Sequence, residues 1–147
     1  MLHSLRVASL LLELGYSEVI VMAAVLHDVL EDTGVTKEQI NLSFGSRIAD
    51  LVLAVTYDKK ILDEVERYKE LYARTLAMGK DAVIIKAADL QINSIYVRLV
   101  PDKQKQEFLV NKEKYFLDLT AAFSDEPVWK SLHERYQAES ARINQEK

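Results

Sequence analysis

The sequence predicts an all-α fold, a bundle of about seven or eight helices forming one domain over residues 1–147. Two observations carry that expectation. The chain has only four glycines and two prolines in 147 residues, against average usage of roughly 12% for the two together, so long helices are favoured over a turn-rich sandwich. Its apolar residues also recur at helical spacing in segment after segment.

In chain order, Leu5, Ala8, Leu11 and Leu12 fall on one face of a helix over 5–14, which Gly15 stops. Ser17 caps a second helix, 18–30, whose run Val19 to Leu26 is apolar on every side and is expected to be central; Thr33 and Gly34 end it. Thr36 with Gln39 is a capping-box pattern opening a short helix to about Leu42. After Gly45 and Ser46, the stripe Ile48, Leu51, Val52, Val55 defines a helix ending near Tyr57. Residues 58–67 are highly charged and read as a loop plus the solvated start of a helix running to Met78, closed by Gly79. The β-branched run Val83-Ile84-Ile85 sits between helical patterns, so 81–95 is expected to be helical. Pro101 marks a break, and two amphipathic helices follow, at about 103–123 and 127–145.

Composition narrows the function. Hydrophobic residues make up 49% and charged residues 29%, the balance of a globular chain rather than a disordered one. There is no cysteine, which excludes disulfides, thiolate metal sites and cysteine nucleophiles. A formal charge of −4 gives no global field for a polyanion, so nucleic acid is not an expected partner. No run of eighteen apolar residues suggests a membrane span and the first residues do not resemble a secretory signal, so a cytoplasmic protein is expected.

Chemistry concentrates where two apolar helices turn polar. At ~100° per residue His27, Asp28, Glu31 and Asp32 fall within a sector of about 140°, and Asp89 and Asn93, at i and i+4, share a face. Buried charges are costly unless paired or bound to metal, and a mixed imidazole and carboxylate set suits Mn, Fe, Ni or Zn better than Ca. Each residue alone has an ordinary alternative: a chance His-Asp pair, acids at a helix end, an Asp89–Lys86 pair, a satisfied Asn93. The combination on two helices points to a site.

These residues also carry a resemblance. The run HSLRVASLLLELGYSEVIVMAAVLHDVLEDTGVTKEQINLSFGSRIADLVLAVT, with KAADLQINS further on, resembles the HD superfamily of metal-dependent phosphohydrolases. Within it the likeness is closest to the hydrolase domain of RelA/SpoT-type alarmone enzymes and their single-domain relatives. It covers about the first hundred residues, with the motifs in 3–93. The resemblance implies metal ligands at His3, His27, Asp28 and Asp89, holding one ion per chain, usually Mn²⁺. It implies that Glu31 and Asp32 position or activate the attacking water and that Asn93 contacts the nucleotide. Lys86 and Thr56 fit the pattern without an assigned role. The implied reaction, that of the stringent response, removes the 3′-pyrophosphate from guanosine 3′,5′-bis(diphosphate), ppGpp, releasing GDP or GTP and pyrophosphate. General chemistry is consistent: metal-bound water ionises near neutral pH, and Glu31, one turn beyond His27, could take its proton. Two alternatives stay open: an HD-type hydrolase of another nucleotide or phosphoester, and a degenerate domain that binds nucleotide without turnover.

The sequence departs from the family pattern in three ways. Family members carry a helical segment with basic residues before the first His, whereas only Met1 and Leu2 precede His3, which is therefore expected to fray. The usual arginine after the second Asp is Leu90, and the aromatic or His before the Asn is Ile92. Residues 103–147 carry no motif; Trp129, Leu132 and Tyr136 are expected in the core or on a face that makes a homo-oligomer, and His133 is not expected to bind metal. Arg6, Lys86 and Arg98 are the candidate cations for a pyrophosphate, while Arg47, Lys59 and Lys60 are expected on solvated faces.

Overall fold

The computed structural model describes residues 2–146. Among them are nine α-helices, α1 (Leu2–Glu13), α2 (Glu18–Leu26), α3 (Val29–Asp32), α4 (Lys37–Phe44), α5 (Ser46–Val55), α6 (Glu64–Met78), α7 (Lys80–Ser94), α8 (Lys103–Leu119) and α9 (Pro127–Gln145), with 3₁₀ turns at Val97–Leu99 and Ala121–Phe123 and no strand. The all-α class is as the sequence predicts. The extra helix arises because the segment predicted to run from 18 to 30 breaks at His27 and Asp28. Ala24 O accepts from the His27 amide at 3.4 Å and also faces the His27 ring at Nδ1, 2.7 Å away. A side-chain bond thus occupies the carbonyl that Asp28 N–H would take in a continuing helix.

Local chemistry sets most of the other ends. Ser17 and Asp63 cap α2 and α6 by accepting from Ile20 N and Glu66 N, and Thr36 and Gln39 form both bonds of the capping box on α4. Gly79 ends α6 and starts α7 at φ +109°, a conformation that side chains with a Cβ rarely adopt. The helix α8 stops at Leu119 rather than near 123, because Thr120 Oγ1 turns back to donate to Phe116 O at 2.7 Å and accepts from Trp129 Nε1 at 3.0 Å.

The central helix is α7. Its Ala82, Val83, Ile84, Ile85, Ala87 and Ala88 are all buried, and it packs on α1, α2, α5, α6 and α9. Close approach from several directions explains the alternation of alanines with β-branched residues. The expectation that α2 is equally central is not met: only Ile20, Ala23 and Ala24 are buried there, and Val19 is 38% exposed. Three helices, α1, α5 and α7, cover its inner side, leaving the rest to solvent. Trp129 and Leu132 are in the core, with Tyr136 half-buried against it. His133 stacks between Trp129 and Tyr136, at 5.2 and 6.4 Å between ring centroids. No helix among the described residues is long and apolar enough to cross a membrane.

Candidate metal centre

Three parts of the fold converge on one cluster. The first turn of α1 brings His3, the break after α2 brings His27 and Asp28, and the middle of α7 brings Asp89. Donor atoms of His3, His27 and Asp28 all lie within 4.8 Å of one another. Asp89 Oδ1 lies 2.8 Å from His3 Nε2 and 3.5 Å from His27 Nε2, while Asp28 Oδ1 is 3.0 Å from His27 Nε2. The rings of His3 and His27 meet edge to face at 5.3 Å. The expected fraying of His3 is not found: it is helical and tied to Asp89.

The state of His27 follows from its surroundings. It is 2% exposed, and its Nδ1 sits 2.7 Å from Ala24 O, so that nitrogen carries the proton. The other nitrogen, Nε2, is buried and makes no hydrogen bond of proper geometry, yet two carboxylate oxygens face it. A neutral ring would present a lone pair to other lone pairs, an arrangement that only a cation or a second proton relieves. Burial alone would lower its pKa, but Asp28 and Asp89 outweigh burial and raise it to about 10. A ring whose far N–H is fixed on a backbone carbonyl, with its free nitrogen among carboxylates, is the usual setting of a metal-ligating histidine. The residues present fit a divalent ion.

Neighbouring groups orient the carboxylates. Ser4 Oγ donates to Asp28 Oδ2 at 3.1 Å, Asn93 Nδ2 donates to Asp89 Oδ1 at 3.0 Å and Lys86 Nζ donates to Asp89 Oδ2 at 2.7 Å. Burial would raise the Asp89 pKa, but Lys86 and the two histidines hold it well below the usual carboxylate range. Asp28 is lowered too, its burial outweighed by His27. Lys86 is itself buried, and Asp89 keeps it charged against that burial.

Glu31 is half-buried and accepts from Tyr57 N at 3.0 Å, so the loop after α5 fixes one of its oxygens. Burial, with Asp28 and Asp89, raises its pKa against the pull of the Tyr57 amide and Lys86. Asp32 is placed differently: it is exposed and lines an outer groove of about 200 Å³ with Ser4, Asp28 and Thr33. Asp32 stays one turn beyond Asp28, its amide bonded to Asp28 O at 2.9 Å, and shares that groove with it, whereas the Glu31 side chain reaches the Tyr57 amide.

Among the cations, Lys86 is in the site, Arg6 bonds Tyr96 Oη, and Arg98 is committed to Glu139 at 2.6 Å. Lys59 is exposed, as expected, but reaches back to Glu31 O. Sequence reasoning missed Lys112, a partly buried amine on α8 whose pKa is lowered by burial and by the nearby Lys86. Nothing in the polar pattern of α8 marks it, because its position depends on how α8 packs beside α7.

Fold and cluster together define an all-helical protein with a His/Asp centre suited to a metal ion. The HD domain model matches residues 1–111, and the chain belongs to that family. It is 35% identical over 106 residues to a probable GTP pyrophosphokinase of Mycobacterium leprae, covering 70% of this chain and 14% of that protein. It is 41% identical over 91 residues to the guanosine-3′,5′-bis(diphosphate) 3′-pyrophosphohydrolase of Aquifex aeolicus, covering 60% of this chain and 13% of the relative. The chain therefore spans about a seventh of these relatives. Among solved structures, a metazoan ortholog of SpoT described as hydrolysing ppGpp superposes with a TM-score of 0.79 at 26% identity, over 92% of this chain and 79% of that one.

Proposed function

We propose that this protein is a Mn²⁺-dependent phosphohydrolase of the cytoplasm that removes the 3′-pyrophosphate from ppGpp, giving GDP and pyrophosphate. The observation that carries the reading is the convergence of His3, His27, Asp28 and Asp89 from three parts of the fold around a buried imidazole nitrogen faced by two carboxylates. The pyrophosphohydrolase name of the Aquifex relative and the metazoan structure described as hydrolysing ppGpp support the choice of substrate.

In this reading those four residues hold the ion, which when bound supplies an ionisable water and polarises a phosphoryl oxygen. Glu31, with its pKa raised, takes the proton of the attacking water, and the Tyr57 amide keeps the carboxylate aimed. Oxygen adds to the phosphorus on O3′, the P–O3′ bond breaks, and the ribose oxygen recovers a proton. Asn93 and Lys86 hold Asp89 in place, while Lys59, Lys86 and Lys112 supply the positive charge that a pyrophosphate needs. Asp32 lies at the rim, where it orders solvent.

The test is metal analysis coupled to product analysis. Wild-type protein is expected to bind about one Mn²⁺ per chain and to release pyrophosphate from ppGpp, and His27→Ala or Asp28→Ala to lose both. Undiminished activity in metal-free protein would overturn the metal reading; orthophosphate release from other nucleotides, with ppGpp untouched, would overturn the substrate.

A further inference from the structure

A cleft of about 220 Å³ opens beside the candidate centre, between the end of α7 and α8, lined by Asn93, Tyr96, Val97, Leu109, Lys112 and Glu113 among others. Whole small-molecule sites run to roughly 300–1,000 Å³, so this space suits one ring system rather than a complete nucleotide. It adjoins the centre through Asn93, which also donates to Asp89. Its walls are largely apolar, as a heterocycle requires, with Asn93, Lys112 and Glu113 as the polar members. Glu113 is only 3% exposed, and its Oε2 is buried with no hydrogen-bond partner. A buried carboxylate oxygen without a donor is costly to keep in a packed protein. Its neighbour Glu139, by contrast, is fully engaged by Arg98 at 2.6 Å and Arg142 at 2.9 Å.

We infer that Glu113 is a specificity-determining residue that reads the base of the bound nucleotide by accepting from the N–H groups of a guanine ring seated in this cleft. This rests on the nucleotide reading above. The neighbours support it. Lys112 lies close enough to Lys86 and Asp89 to interact with both, and it lines the same cleft as Glu113. A cation within reach of the centre and an acceptor in the adjoining cleft match phosphate and base. Guanine offers N1–H and N2–H side by side, which an ionised carboxylate accepts together; adenine offers one donor beside an acceptor, which the ionised form rejects and the protonated form, with one O–H and one C=O, accepts, so the preference for guanine belongs to the ionised carboxylate.

The groups around Glu113 are Lys112 on α8, Arg135 and Glu139 on α9, and Tyr72 on α6. Burial, with Glu139, raises the Glu113 pKa to about 8 against Arg135 and Lys112. At pH 7 the carboxyl is therefore mostly protonated, and a ligand that presents only donors must drive the proton off.

Calorimetric titration of the whole protein with GDP, IDP and ADP at pH 7 and pH 8.5, in two buffers of different ionisation enthalpy, tests the inference without any turnover. Wild type is expected to bind GDP at least about tenfold tighter than ADP at pH 8.5, where the carboxyl is mostly ionised, with IDP between, and to release more of a proton per GDP at pH 7 than at pH 8.5. Glu113→Gln is expected to bring the GDP/ADP ratio near one and to abolish proton release, with an unchanged far-UV circular dichroism spectrum. Equal affinity for GDP and ADP in wild type, or a Glu113→Gln variant that keeps both preference and proton release, overturns it. If that variant does not fold, the wild-type GDP/ADP ratio at the two pH values decides: a ratio that does not rise from pH 7 to pH 8.5 overturns the inference. Pyrophosphate release from ppGpp is a separate measurement, so base reading can fail while the hydrolase stands, and the converse.

Discussion

Replacing Glu113 by glutamine should make the protein more stable at pH 8 and leave it almost unchanged at pH 5. The Glu113 carboxyl is raised from 4.5 in an open chain to about 8 in the fold, by burial and by Glu139. Below about 4.5 both folded and unfolded chains hold this proton, and the stability is fully present. As pH rises, the unfolded chain loses the proton first while the native one keeps it, so stability falls progressively until the native group ionises near 8 and is level beyond. One pKa unit corresponds to about 1.4 kcal/mol, so the full gap is worth about 3–5 kcal/mol. Glutamine has the shape of the protonated acid and does not titrate, so the variant escapes that loss. His27, also raised, titrates in part of the same window, but it is common to both proteins and cancels in the difference. Urea denaturation of both at pH 5, 6, 7, 8 and 9, with the metal content held equal, gives the two curves. A difference that grows by about 3–5 kcal/mol between pH 5 and 8 is expected; parallel curves would show that the buried carboxyl is not held neutral and would refute the argument.

Two other outcomes follow from the packing. Asp89→Ala, measured by urea denaturation in EDTA so that metal binding does not contribute, should cost about 3–5 kcal/mol, because it strands the Lys86 ammonium in the interior; a loss under about 1 kcal/mol would mean that Lys86 finds solvent. Thr120→Val removes the acceptor of the Trp129 indole N–H and the tie back to Phe116 O, and should cost about 1–3 kcal/mol, seen in the midpoint of unfolding followed by the fluorescence of Trp129, the chain's single tryptophan.

How much of this was legible in the sequence depends on the range of the interaction. Caps are local, so Ser17, Thr36 with Gln39 and Gly79 marked true helix ends, and the apolar stripes found the core faces of α5 and α7. The break at His27 was not legible, because it depends on a ring turning back onto its own backbone carbonyl, which no periodicity encodes. Nor was the outer position of α2: eight consecutive apolar residues say that a helix can be buried on every side, and only the number of helices packed around it says whether it is. His3, Asp28 and Asp89 could be grouped from the resemblance, but Lys112 and Glu113 could not. Both read as ordinary charges on an amphipathic helix until α7 and α9 close around them.

The break after α2 lies inside the charge cluster. His27 and Asp28 keep right-handed helical dihedrals there, and the His27 ring faces both Asp28 and Asp89. With Glu31 close enough to feel both aspartates, three carboxylates crowd a half-buried space in which Lys86 is bonded to one of them and Lys112 acts on Asp89 from farther off. Carboxylates so close together are unfavourable unless countered. A proton on His27 would counter part of that charge and use up the nitrogen that faces the carboxylates. A divalent ion would counter more of it while keeping His27 neutral, with its other N–H on Ala24 O. The interruption of the helix thus falls at a His-Asp pair whose surroundings suit a metal ion better than a proton.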